Sequence, residues 1–340
     1  MDSQNIVVNG IKDVILKTES FDDSNLEYNE AIIENEISMI SAGTELSRVY
    51  GIKKGVEYPL YTGYICVGKI IKKGPGLEGL EVGDRVMYNG SHKQFQRFKH
   101  NGKVLELIVK VPEDVLAKDA VLCYMALIAI NGVLATDIKL GDRVAVVGLG
   151  TIGVMTALLY QLAGAKVIAV DPVKSRVKHA LNAGVENAQY DLPEKLKDII
   201  YDEYKEGVDI AVDTAGNSAA IMTCVEITRR DGQVLLTGSP RSDYETNITP
   251  VLNRIHMQML KVIGGYNELF PYYRVEGSRL SVERNTNYIL DLLKAKKMDG
   301  DKLISHVMSP VDCQEAYRGL MEEKDTYHCV IFDWSMLERK

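Results

Sequence analysis

The stretch from Arg143 to Val147 is short, β-branched and without a polar face, and it runs directly into Gly148-Leu149-Gly150-Thr151-Ile152-Gly153. Apolar residues then recur at helical spacing at Val154, Met155, Leu158, Leu159 and Leu162, so the segment reads strand, tight turn, helix. A strand apolar on both faces must be covered on both faces, which puts it near the centre of a parallel sheet flanked by helices. Gly164 closes the helix, Lys166 to Val170 supplies a second strand, and Asp171 stands at its end. Val208 to Val212 and Gln233 to Thr237 read as further strands, and the alternation of strands with amphipathic helices from about Lys118 onward predicts βαβ units.

The glycine spacing in this context has a chemical meaning. The first glycine permits the tight turn, the second lets backbone approach a pyrophosphate, and the third lets helix pack on strand. Amides at the helix start, those of Thr151, Ile152 and Gly153, then face the anion together with the positive end of the helix dipole. Asp171 is placed to accept hydrogen bonds from both adenosine ribose hydroxyls and to repel a 2'-phosphate, which favours NAD over NADP. Arg176 either touches the cofactor or caps a solvated helix face. The strand ends at Asp213-Thr214 and Gly238-Ser239 face the same crevice; Thr214 and Gly238 are candidate cofactor contacts, and Asp213 reads better as the N-cap of the following helix. The competing reading is a glycine-rich turn in a doubly wound domain that holds no nucleotide.

The 340 residues suffice for two cores. The first third alternates β-rich pieces with turn residues, as in Leu60 to Ile71 followed by Lys73-Gly74-Pro75-Gly76, and predicts an antiparallel, barrel-like unit. Gly-Asp-Arg-Val occurs at Gly83 to Val86 and at Gly141 to Val144, each before an apolar strand, and reads as two tight turns. After Tyr266 the βαβ rhythm breaks; a polar loop, a helix from about Val282 to Ala295 and a strand follow, as expected of a chain re-entering its first domain. A formal net charge of -7 argues against a phosphate backbone as partner. The apolar run Ala120 to Ile130 is too short to span a bilayer and reads as a buried helix. The polar start Met1-Asp2-Ser3-Gln4-Asn5 and five scattered cysteines fit a cytoplasmic protein with reduced thiols.

With Ala42-Gly43-Thr44-Glu45, Tyr58-Pro59 followed by Gly63-Tyr64, the two Gly-Asp-Arg-Val turns and the glycine-rich turn in view, the chain resembles the medium-chain dehydrogenase/reductase superfamily along nearly its whole length. The resemblance implies an α/β fold: a doubly wound parallel Rossmann sheet at 119–268, and a GroES-like β-barrel-type catalytic domain built from 1–118 and a C-terminal return at 269–340. The segment Ser41 to Glu45 with Gly63-Tyr64 is most similar to the branch containing bacteriochlorophyllide a dehydrogenase, whose chlorin substrate is not carried over.

Zinc-dependent members of the superfamily place a Cys where this sequence has Ala42, a Gly-His-Glu where it has Gly63-Tyr64-Ile65, and a Cys or Glu near Cys123 or Tyr124. A catalytic zinc needs three protein ligands and an open position, so no metal is expected; His92, His100 and His256 have no partner at ligand spacing. Without zinc, a hydrogen-bond donor must stabilise the developing oxyanion. The resemblance puts Thr44 at the usual relay hydroxyl, Ser47 where many relatives have His, and Tyr64 in place of the zinc-bound His. Tyr64 and Thr44 are expected as acid and relay, with Glu45 orienting or charging the network and Tyr124 as a second candidate. The alternative is that Tyr64 fills the vacated metal cavity and Thr44 bonds the backbone. Cys66 and Cys123 read as core residues.

The function implied is NAD(H)-linked interconversion of a secondary alcohol and a ketone, on a small-molecule polyol, sugar or cyclitol, with no catalytic zinc. The runner-up is reduction of an activated C=C bond, as in zinc-free quinone and enoyl reductases, and a third reading is a non-catalytic NAD-binding protein. Neither nucleic acid nor membrane is expected as a partner. A homodimer or homotetramer is expected, formed through the edge strand near Leu260 to Gly264.

Overall fold

The computed structural model describes residues 1–103, 106–191, 193–240 and 243–337. The chain forms two compact units, one of Met1–Tyr124 with Pro271–Lys340 and one of Met125–Phe270.

The second unit is organised by a six-stranded sheet in the order Ala188–Tyr190, Lys166–Asp171, Arg143–Val147, Val208–Asp213, Thr228–Leu236, Lys261–Gly264. Every neighbouring pair is parallel. Arg143–Val147 lies at the centre, as its lack of a polar face predicts, and the strand order reverses beside it. That reversal opens a crevice at the carboxyl ends of Arg143–Val147 and Val208–Asp213, the place where open α/β sheets bind ligands. The core beneath is aliphatic: Ala145, Val147, Ile168, Val170, Leu196, Ile200, Ala211 and Val234 are buried together. Helix Thr151–Leu162 buries Gly153 through Tyr160 without interruption, so its register against the sheet is fixed by packing. Lys261–Gly264 is the edge strand, and three of its four residues are exposed.

The first unit is mainly antiparallel. Strand Glu30–Met39 pairs with Cys66–Lys73, Phe95–Lys99 and Val330–Asp333, and Arg85–Tyr88 and Ile108–Lys110 extend the sheet beyond Cys66–Lys73. Val330–Asp333 meets Glu30–Met39 in the register Ile331 to Met39, so the C-terminal segment completes a sheet begun in the first forty residues. A second sheet of Asp13–Ser20, Asp2–Gly10 and Leu60–Tyr61 lies beside it in sequence. Ile6, Val8, Val14, Tyr317, Phe332 and Trp334 share one core cluster, and Ala31, Ile33, Cys66, Ile70, Val86 and Tyr88 another. The turns at Gly83 and Gly141 both take positive φ, +96° and +85°, conformations that glycine adopts without strain. The predicted C-terminal helix is Val282–Lys294.

The apolar stretch around Ala120 to Ile130 forms two helices, Ala117–Ala120 and Cys123–Ala135. Ala117–Ala135 has the length and composition of a membrane span, yet 78% of its most apolar window is buried inside the fold. The architecture is the α/β class expected from sequence: a doubly wound parallel sheet joined in one chain to an antiparallel β unit.

Candidate active site

The glycine-rich turn of the second unit is shaped by contacts no larger residue permits. Gly148 takes φ +102°, and its N–H donates to the Val170 carbonyl at 2.8 Å. A Cβ on Gly153 would lie 2.0 Å from the Gly148 carbonyl oxygen, whereas one on Gly150 would meet nothing within 4 Å. The turn is therefore closed on its sheet side and open at Gly150. Gly150 is the N-cap of helix Thr151–Leu162, and no side chain caps that end. Backbone donors, a helix dipole and open space at one point make a cradle that fits a pyrophosphate.

Asp171 is 1% exposed. Its Oδ2 accepts from the Leu149 N–H and its Oδ1 from the Val173 N–H, both at 2.8 Å, which leaves a second lone pair on each oxygen for a ligand. Arg176 Nη1 stands 3.6 Å from Asp171 Oδ2. The Thr214 hydroxyl donates to the Gly148 carbonyl at 2.7 Å, so it braces the turn. A Cβ on Gly238 would lie 2.1 Å from the Gly216 nitrogen, a contact that places Gly238 in the packing of the adjoining loop.

Asp213 corrects the sequence reading. The helix Ser218–Ile227 is capped by Asn217, whose side chain accepts from the Ala219 N–H; Asp213 instead accepts from the N–H groups of Ala215 and Gly216. Burial outweighs those amides and pushes its carboxyl up to about 6. A pKa raised above the unfolded value means that the stability contributed by Asp213 is complete below about pH 4 and is lost as pH climbs through about 6. Asp213→Asn retains an amide acceptor without the charge. The variant is expected to gain roughly 2 kcal/mol relative to the parent between pH 4 and pH 8 in urea unfolding; a difference that does not change with pH would refute the assignment.

In the first unit, Glu45 is the centre of a buried polar network. It lies on helix Ala42–Val49 and is 1% exposed. Its Oε1 accepts from the Ser41 N–H at 2.7 Å. Its Oε2 accepts from the Thr62 hydroxyl at 2.7 Å, the Tyr317 hydroxyl at 2.6 Å and His92 Nε2 at 3.1 Å. Burial alone would raise the Glu45 pKa, but the His92 charge and the hydrogen bonds from His92, Tyr317 and Thr62 hold it below the usual glutamate value. His92 is fully buried; its Nδ1 meets Ser38 Oγ at 2.8 Å, and Ser38 Oγ accepts from Trp334 Nε1 at 2.9 Å.

Tyr64 is mounted on this network. The residue before it, Gly63, takes φ +90°, and a Cβ there would lie 2.7 Å from the His92 ring. The Thr62 carbonyl accepts from the His92 N–H at 2.9 Å, and Asn89 Nδ2 donates to the Tyr64 carbonyl at 2.9 Å. The Tyr64 hydroxyl meets Ser41 Oγ at 2.5 Å, and its ring packs edge-on against Tyr124, centroids 5.6 Å apart. The two tyrosines singled out from sequence are thus neighbours, and Tyr124 is 1% exposed. Thr44 is half-buried on the same helix, and its carbonyl takes the Ser47 hydroxyl at 2.7 Å. Sequence reasoning missed Ser41, Thr62 and Tyr317, and noted His92 only as an isolated histidine.

The donor set does not fit a catalytic zinc. Cys66 and Cys123 are fully buried, burial pushes both thiols far up, and their S–H groups point at the Gly90 and Thr286 carbonyls. No group of three His, Cys, Asp or Glu among the described residues is arranged to hold a metal.

A doubly wound parallel sheet with a glycine-rich switch-point turn is thus carried by a chain whose two terminal segments build an antiparallel β unit. Residues 148–273 match the family described as zinc-binding dehydrogenase. An uncharacterized zinc-type alcohol dehydrogenase-like protein of Haemophilus influenzae is 26% identical, over 88% of this chain and 90% of its own. The (R,R)-butanediol dehydrogenase of Bacillus subtilis is 23% identical, over 78% of this chain and 79% of its own. The crystal structure of galactitol-1-phosphate dehydrogenase from Escherichia coli superposes with a TM-score of 0.83 at 18% identity, covering 97% of this chain and 99% of that one. Along most of its length the chain is similar to zinc-type alcohol dehydrogenase-like proteins, and in residues 148–273 to the zinc-binding dehydrogenase family.

Proposed function

We propose that this protein is an NAD(H)-dependent oxidoreductase that interconverts a secondary alcohol of polyol type and its ketone without a catalytic zinc. The observation that carries the reading is the Tyr64 phenol, anchored by Ser41 at 2.5 Å over a buried carboxylate network, at the position that the family resemblance assigns to a metal-ligating histidine. The butanediol dehydrogenase relative supports a vicinal alcohol as the substrate class.

The cradle at Gly148 to Gly153 would hold the pyrophosphate and Asp171 the adenosine ribose; bound NADH supplies a hydride to the substrate carbon. This chain's own residues handle the proton. Tyr64 donates its hydroxyl proton to the carbonyl oxygen in reduction and takes it back in oxidation. Tyr124 fixes the Tyr64 ring, and Glu45 holds the helix start from which Ser41 reaches the phenol.

The test is NADH oxidation by the metal-stripped protein against ketoses, cyclic ketones and enones, with products identified by mass and NMR. An alcohol formed from a ketone supports the reading. A saturated ketone from an enone, its carbonyl untouched, overturns it in favour of C=C reduction. The choice of NAD has a separate test. Asp171→Asn removes the charge that repels a 2'-phosphate, and the preference for NADH over NADPH, measured as a Kd ratio by nicotinamide fluorescence, is expected to fall by about tenfold or more. An unchanged ratio would exclude Asp171 as the discriminating group.

A further inference from the structure

Ser41 stands at the N-cap of helix Ala42–Val49, where a serine hydroxyl ordinarily accepts from a first-turn amide. Here it makes no such bond. The hydroxyl is turned to the Tyr64 phenol instead, at 2.5 Å, and the residue is 4% exposed. Its backbone N–H is fixed independently by Glu45 Oε1, while the other oxygen of Glu45 takes Thr62, Tyr317 and His92. The same Thr62 and His92 support the turn that carries Tyr64, through the Thr62 carbonyl and the ring beneath Gly63. Both sides of the Ser41–Tyr64 bond are therefore referred to one buried pair.

We propose that Ser41 is a positioning residue that donates to the Tyr64 oxygen as the phenol loses its proton, held in place for that purpose by the Glu45–His92 pair. The inference rests on Tyr64 being the proton donor. In ketone reduction the phenolic O–H bond breaks, the proton goes to the substrate oxygen and the electron pair stays on Tyr64. The Ser41 O–H then donates to the phenolate, which regains a proton from water. A hydrogen bond to an anion is stronger than one to its neutral form, so Ser41 favours the ionised state of Tyr64. The titratable groups around this bond are Glu45, His92 and Tyr317 in the network and Tyr124 against the Tyr64 ring.

The test reads Tyr64 directly. In full-length protein carrying ring-labelled tyrosine, the Tyr64 carbon resonance is identified by its absence in Tyr64→Phe and titrated in the parent, Ser41→Ala and Ser41→Thr. Both Ser41 variants keep the backbone bond to Glu45. The titration is expected to move to higher pH in Ser41→Ala and to be restored in Ser41→Thr. Alcohol oxidation on the acidic side of that titration is expected to fall about tenfold in Ser41→Ala. An inactive Tyr64→Phe variant together with an unmoved titration in Ser41→Ala overturns the role of Ser41 alone. A fully active Tyr64→Phe variant overturns the reading of Tyr64 and this inference with it.

Discussion

Glu45→Gln is expected to destabilise the unit that contains it by about 3–5 kcal/mol, the range for removing one partner of a buried charged pair. The size follows from counting donors. Four groups point at the carboxylate: the Ser41 N–H at Oε1, and the Thr62 hydroxyl, the Tyr317 hydroxyl and His92 Nε2 at Oε2. A glutamine has one acceptor oxygen and an NH2 group in place of the other. If the oxygen faces the three donors, the NH2 meets the Ser41 N–H; if it faces Ser41, the NH2 meets three donors. Either way a buried donor is left unsatisfied. Thermal unfolding should fall by roughly 10 °C.

The pH dependence of that effect has a fixed sign. The Glu45 pKa is lowered on folding from its ordinary 4.5, so the stability it contributes is present above that value and is lost as pH falls through the lowered one. The gap between the parent and Glu45→Gln should therefore be widest near neutrality and narrow in acid. Urea unfolding of both at neutral and acidic pH checks it. A gap below about 1 kcal/mol at neutral pH would show that the carboxylate is not the centre of the network.

What the sequence made legible was local. The glycine-rich turn, its strand and its helix are contiguous, and the tightest contact in the turn, Gly153 against the Gly148 carbonyl, lies within that short segment. The central strand could be placed because a strand without a polar face has one kind of environment. The Glu45–His92 bond joins residues 47 positions apart, and Tyr317 reaches Glu45 across 272. Neither pairing leaves a trace in spacing or periodicity, since it depends on how the fold brings helix Ala42–Val49 against helix Cys313–Glu322 and the segment that carries His92. Ser41 was hidden differently. A serine before a helix is the commonest of caps, and only coordinates reveal that its hydroxyl is spent elsewhere. Asp213 was misread because two side chains compete to start the same helix, and Asn217, nearer to it, wins.

Tyr64→Phe is expected to lower kcat/KM for carbonyl reduction by 10²–10⁴-fold, on the order expected for loss of a positioned general acid. NADH affinity should stay within about twofold of the parent. The substitution is close to ideal for the purpose. A phenylalanine keeps the edge-on contact with the Tyr124 ring and the backbone bond from Asn89 to the residue 64 carbonyl, so what is removed is the hydroxyl and its bond to Ser41. The loss should appear in kcat with little change in KM, because the proton moves only in the transition state. If Tyr64 merely fills space left by an absent metal, the same variant retains full activity and thermal stability. Such a result would shift the search for the donor to Thr44 on the neighbouring helix, the hydroxyl assigned to the relay by resemblance.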